Sequence, residues 1–76
     1  MDSQTAKITP EMALKQAKAA TGGNTGLAEG LSRTKKITPQ AVSQWKQVPP
    51  DRVLAVESLT GVSRHLLRPD IYGEVL

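Results

Sequence analysis

The sequence predicts an all-α domain, and three observations carry that reading. Helix starts are marked at Thr9-Pro10, Thr38-Pro39 and Pro50-Asp51. Helix ends are marked by Gly22-Gly23, by Val48-Pro49-Pro50 and by Gly61. Between these signals, apolar residues recur at the spacing that gathers them on one side of a 3.6-residue turn. The start signals have a physical basis. A threonine hydroxyl accepts a first-turn N–H that has no partner within the helix, and proline loses nothing at a position where its N–H would go unused.

In chain order, the first helix is predicted from Pro10 to about Ala20, with Thr9 as N-cap. Leu14, Ala17 and either Met12 or Ala13 form its packing face, while Lys15 and Lys18 point elsewhere. A short second helix reaches about Leu31, capped by Asn24 or Thr25, with Leu27, Ala28 and Leu31 on one side. Gly26 and Gly30 each weaken it by about 1 kcal/mol relative to alanine, so it depends on tertiary packing, where a glycine also permits close approach by a neighbour. Ser32 to Ile37 is a polar, basic turn with Ile37 as an inward anchor.

The third helix runs through TPQAVSQWKQ, with Thr38 as cap, until Val48-Pro49-Pro50 stops it. Ala41, Val42 and Trp45 fall on its packing side; Gln40, Ser43, Gln44 and Gln47 fall on the other. A fourth helix opens at Pro50-Asp51 and continues to about Thr60, with Val53, Val56 and Leu59 inward and Asp51 in the first turn, where negative charge is favoured. Ser63 caps one more turn, Arg64 to Leu67, which Pro69 closes, and the tail DIYGEVL reads as a loose extension or a short strand. The expectation is one domain over residues 1–76, loose at 1–8 and 73–76, with four helices plus a fifth helical turn.

A chain of 76 residues buries only about 60% of the surface its unfolded form exposes. With no Phe, and Trp45 and Tyr72 as the only aromatics, its core is thin. Covering apolar surface with a second copy would help, so a homodimer is expected, with Leu66, Leu67, Ile71, Tyr72, Val75 and Leu76 as its apolar tail. The formal charge is +3, and its placement matters more than its size: Gly30 to Pro50 holds no acidic residue but contains Arg33, Lys35, Lys36 and Lys46. That distribution suits a phosphate backbone, with a merely solvated charge run as the alternative.

The absence of cysteine excludes disulfides, thiolate metal sites and a cysteine nucleophile, and fits a reducing compartment. One histidine gives no basis for a protein-only zinc site, and Ser63, His65 and Asp70 are read as surface or capping residues rather than a triad. Neither an enzyme nor a cofactor is therefore expected. The N-terminus lacks a secretion pattern, and no stretch approaches the roughly 18 apolar residues of a membrane span. A cytoplasmic protein without a membrane partner is expected.

The functional reading centres on the third helix. Gln40 and Gln44 lie one turn apart, and glutamine can bond the N6/N7 edge of adenine through two contacts when a helix enters the DNA major groove. The alternative is a surface helix whose amides face water. Trp45 belongs with the core rather than with a stacked base. The second and third helices, Leu27-Ala28-x-x-Leu31 and Ala41-Val42-x-x-Trp45, together form a helix-turn-helix pattern.

From about Thr9 to Tyr72 the chain resembles the small phage Cro-like repressors and the related YdaS-type antitoxin and DNA-binding family. The similarity lies in NTGLAEGL, in ITPQAVSQW and in PDRVLAVESLTGVSRHLLRPDIYG. This resemblance implies a small Cro/lambda-repressor-like helix-turn-helix domain. It places Gln40 and Gln44 at base edges with Ser43 between them, and Thr38 and Asn24, with its neighbour Thr25, near phosphates at helix starts. Arg33, Lys35, Lys36 and Lys46 complete the phosphate-contacting set, although the loop cations also fit a flexible solvated loop. The turn Ser32 to Ile37 is longer than the family's usual one, which bears on the crossing angle of the two helices, and Pro39 stands where many relatives carry a base-reading side chain, which implies fewer direct base contacts. The expected partner is a double-stranded DNA operator, bound by a homodimer that represses transcription in a bacterial host in the phage or prophage manner. An antitoxin or adaptor that binds a toxin protein is the alternative.

Overall fold

In the computed structural model, which describes residues 8–73, the chain is helical in six short segments. They are α1 (Pro10–Thr21), α2 (Asn24–Leu31), α3 (Pro39–Ser43), α4 (Val53–Thr60), α5 (Arg64–Leu67) and α6 (Pro69–Tyr72), with a 3₁₀ turn at Pro50–Arg52 before α4. No strand occurs among the described residues. The all-α reading and the start signals at Thr9 and Thr38 hold. The Thr9 and Thr38 hydroxyls accept the N–H groups of Met12 and Ala41, each at 3.1 Å. Gly22 and Gly23 take positive φ values of 89° and 100°, which ends α1 and lets α2 start at the next residue.

Several boundaries differ from the sequence reading, each for a local reason. Gly23, not Asn24 or Thr25, is the N-cap of α2, and both of the expected caps lie inside the first helical turn. The stretch Pro50–Arg52 is 3₁₀ rather than α, so α4 begins at Val53. Pro69 does not merely close α5. It occupies the first position of α6, and Asp70, Ile71 and Tyr72 form a helical turn instead of a loose tail or strand. The expectations for residues 1–7 and 74–76 lie outside the described residues. Ile8 packs against the core, and the Gly73 carbonyl accepts from His65 Nδ1 at 3.0 Å.

The core joins Ala13, Leu14 and Ala17 of α1, Leu27, Ala28 and Leu31 of α2, Val42 of α3, Val48, Val53 and Val56, and Leu67 of α5. Of the two alternatives at the start of α1, Ala13 is buried and Met12 is 48% exposed. Leu59 is at the surface at 37% exposure, not inward. Of the tail set, Leu67 is core, Leu66 and Tyr72 pack against it, and Ile71 remains exposed, while Val75 and Leu76 lie outside the described residues. Within the described part of this set, Leu66, Leu67 and Tyr72 are thus turned to their own domain and Ile71 is turned to the surface.

The carboxylate of Asp70 accepts from Arg68 Nε at 3.0 Å and Nη2 at 2.7 Å, and Arg68 Nη1 reaches the Val48 carbonyl at 3.1 Å. The hydrogen bonds from Arg68 hold the Asp70 carboxyl below its ordinary pKa. A depressed carboxylate stabilises the fold above its unfolded-state pKa, and that contribution is lost as pH falls through the folded value. We expect the Asp70 carboxyl carbon to titrate in NMR below the usual aspartate range, with the Val48 region loosening in step. A midpoint at or above the usual value would contradict the fork geometry.

Candidate nucleic-acid interface

Helix α3 packs chiefly on α2. Its fully buried residue is Val42, while Gln40, Ala41, Ser43 and Gln44 are exposed. The expected helix through Gln47 is therefore corrected twice: the helix has five residues, and Ala41 faces solvent instead of the core. Ser43 accounts for the early end. Its hydroxyl donates to the Gln40 carbonyl at 2.7 Å, the acceptor that Gln44 N–H would use in a continuing α-helix. Gln44 N–H turns to Ala41 O at 3.2 Å and Trp45 N–H to Val42 O at 3.1 Å, which tightens the last turn into 3₁₀ form. Trp45 follows the helix, half-buried against the core, as a packing residue outside the helix.

The two glutamines keep an i, i+4 relation on one exposed side, since Gln44 retains right-handed helical backbone angles at the C-cap. Both side chains are exposed, and an amide carries the donor and the acceptor that a base edge pairs with. Ser43 has already committed its proton to Gln40 O and keeps only acceptor capacity. Thr38 is likewise engaged, because its hydroxyl caps α3. Asn24 is half-buried with a buried side-chain Oδ1 that has no hydrogen-bond partner among the described residues, whereas Thr25 is exposed.

The turn from Ser32 to Ile37 is pinned at several points. Ser32 Oγ donates to Ile37 O at 3.0 Å and accepts from Ile37 N–H at 3.1 Å, closing the turn at its base. Thr34 Oγ1 donates to Leu31 O at 3.1 Å. Arg52, 6% exposed, donates from Nη1 to Lys35 O at 2.7 Å and to Leu31 O at 3.5 Å, and from Nη2 to Lys36 O at 3.3 Å. Arg33, Lys35 and Lys36 themselves are exposed. Arg52 is the residue that sequence reasoning missed, because the only local signal was a basic residue after Pro50-Asp51.

The cations are placed on different sides. Arg33 borders a recess shared with Gly30, Ala55, Ser58 and Leu59, next to α4. Lys46 and Gln47 border another with Thr9, Pro10 and Glu11, at the start of α1. Lys35 meets Asp51 at 3.3 Å, with both side chains largely exposed. The acid-free run ends one residue before Asp51, which folds back onto Lys35 within it and offsets part of the field the sequence places there. Exposed pairs of this kind contribute little to stability and yield readily to a competing anion.

Among the described residues, no group of three or more histidine, aspartate or glutamate side chains is placed to hold a metal ion. None of the described helices is long and apolar enough to cross a membrane. The sequence model of a family described as bacterial toxin YdaS matches residues 14–76. No curated protein and no solved structure matches the chain.

Proposed function

The chain belongs to the bacterial toxin YdaS family, and from that premise we propose that it binds double-stranded DNA sequence-specifically as a transcriptional repressor of phage or prophage type. The observation that carries the reading is the exposed amide pair Gln40 and Gln44 on a helix fixed from behind by Val42. In this reading α3 enters the major groove, the two glutamines read bases, and Ser43 serves as an acceptor. Arg33, Lys35, Lys36 and Lys46 hold phosphates, with Thr25 and the segments around Asn24 and Thr38 nearby. Two copies on a near-palindromic operator would set their α3 helices roughly 34 Å apart, one turn of duplex. Repression follows from occupancy of a promoter, with no catalytic step and no cofactor.

The family's description as a toxin favours a second reading, in which the chain acts through a protein partner in a toxin–antitoxin pair. Titration of the protein with selected and random duplexes at several salt concentrations separates the two. The DNA reading expects tight, salt-sensitive binding. Replacing Arg33, Lys35 or Lys36 by Ala should weaken selected and random duplexes alike, lowering the salt slope by about one for each phosphate no longer neutralised. Absence of duplex binding at low salt, with a protein partner co-purifying, would favour the second reading.

A further inference from the structure

We propose that Arg52 is a positioning residue that preorganises the loop 32–37, presenting Lys35 and Lys36 to DNA phosphates as a fixed pair. The inference rests on the DNA reading above and adds a residue that does not itself touch the duplex. Arg52 is almost wholly buried, and all three of its acceptors are backbone carbonyls of the segment 31–36. Burying a cation is costly unless hydrogen bonds replace its water, and a buried aliphatic residue would carry no such cost. What the guanidinium supplies instead is a planar fork able to hold two successive carbonyls, those of Lys35 and Lys36, at once. With those carbonyls turned onto Arg52, the two lysine side chains are left exposed on the outer side of the loop. The Ser32–Ile37 bonds close the same loop from its base, so its backbone is ordered before any ligand arrives. An ordered loop spares association the entropy of fixing it.

The test is a double-mutant cycle on the full chain. Arg52→Lys keeps the charge but lacks the fork; the second change replaces Lys35 and Lys36 together by Ala. In the native background the lysine change should weaken duplex binding about a hundredfold at low salt, and in the Arg52→Lys background by less than about tenfold, because the lysines there no longer act from a fixed loop. A residue that served only global stability would leave the two losses equal. Equal losses overturn the inference while leaving the DNA reading intact. Absence of duplex binding by the native protein sinks the DNA reading, and the loop's role with it. Amide exchange in the native chain gives a second measurement that needs no variant. Lys35 and Ile37 N–H, bonded to Leu31 O and Ser32 Oγ, should exchange far more slowly than in an unstructured peptide. Exchange at the unstructured rate overturns the inference even if Arg52→Lys fails to fold.

Discussion

Replacing Gly26 by alanine is expected to destabilise the domain by about 1–3 kcal/mol, the usual cost of forcing a methyl into filled space. Helix propensity alone predicts the opposite sign, since alanine in a helix interior gains about 1 kcal/mol over glycine. Geometry decides. A Cβ at Gly26 would overlap the carbonyl group of Thr21, backbone at the end of α1 that cannot swing aside. Gly30 provides the contrast: there a Cβ would meet the methyl groups of Leu59, a side chain partly at the surface and free to move. Gly30→Ala should therefore be much closer to neutral. A domain of this size has a total stability of roughly 4–11 kcal/mol, so the loss at Gly26 would be a large fraction of it. Urea unfolding of both variants checks the pair. A Gly26→Ala protein as stable as the parent would mean that α1 and α2 are not so closely joined.

Replacing Gln40 or Gln44 by alanine is expected to cost about 1–3 kcal/mol on the cognate duplex, roughly 5- to 150-fold, with little change on random sequence. Both side chains are exposed, so neither truncation removes core packing, and thermal unfolding should stay within about 0.5 kcal/mol of the parent. Ser43→Ala should behave differently: it removes the hydroxyl that competes for the Gln40 carbonyl, so α3 should extend. If the glutamine variants weaken cognate and random duplexes equally, α3 is not the reader. Binding curves on both duplexes, measured at one salt concentration, decide it.

The parts of this fold that are legible in the sequence are those set by neighbours in the chain. Thr9, Thr38 and Ser63 cap the helices that follow them because the acceptor and the N–H it serves lie two or three residues apart. The packing residues Leu14, Ala17, Leu27, Ala28, Leu31, Val42, Val53 and Val56 follow helical spacing for the same reason. Sequence and structure part where two local signals compete or where the partner is remote. At Gly23-Asn24 a glycine with φ of 100° takes the cap that the asparagine also fits. At Ser43 a hydroxyl ends a helix whose apolar pattern continues to Trp45. The order of the basic loop depends on Arg52, 16 to 21 residues away, and no periodicity connects them. In the candidate site, the residue types and the exposure of Gln40 and Gln44 are readable, whereas the pairing of Lys35 with Asp51 requires the folded chain.

Trp45, the chain's single tryptophan, lies directly after Gln44, half out of the core. Its indole is therefore a built-in optical reporter. All tryptophan emission from this protein originates one residue beyond the amide face, and the other aromatic, Tyr72, ends α6 and packs against the core with the Arg64 guanidinium over its ring, 5.7 Å from the ring centre. A shift in emission wavelength on adding a ligand can be assigned to this one position without any label. Unfolding would move the same signal toward that of a solvated indole, so one fluorescence channel follows both the integrity of the domain and events at the end of α3.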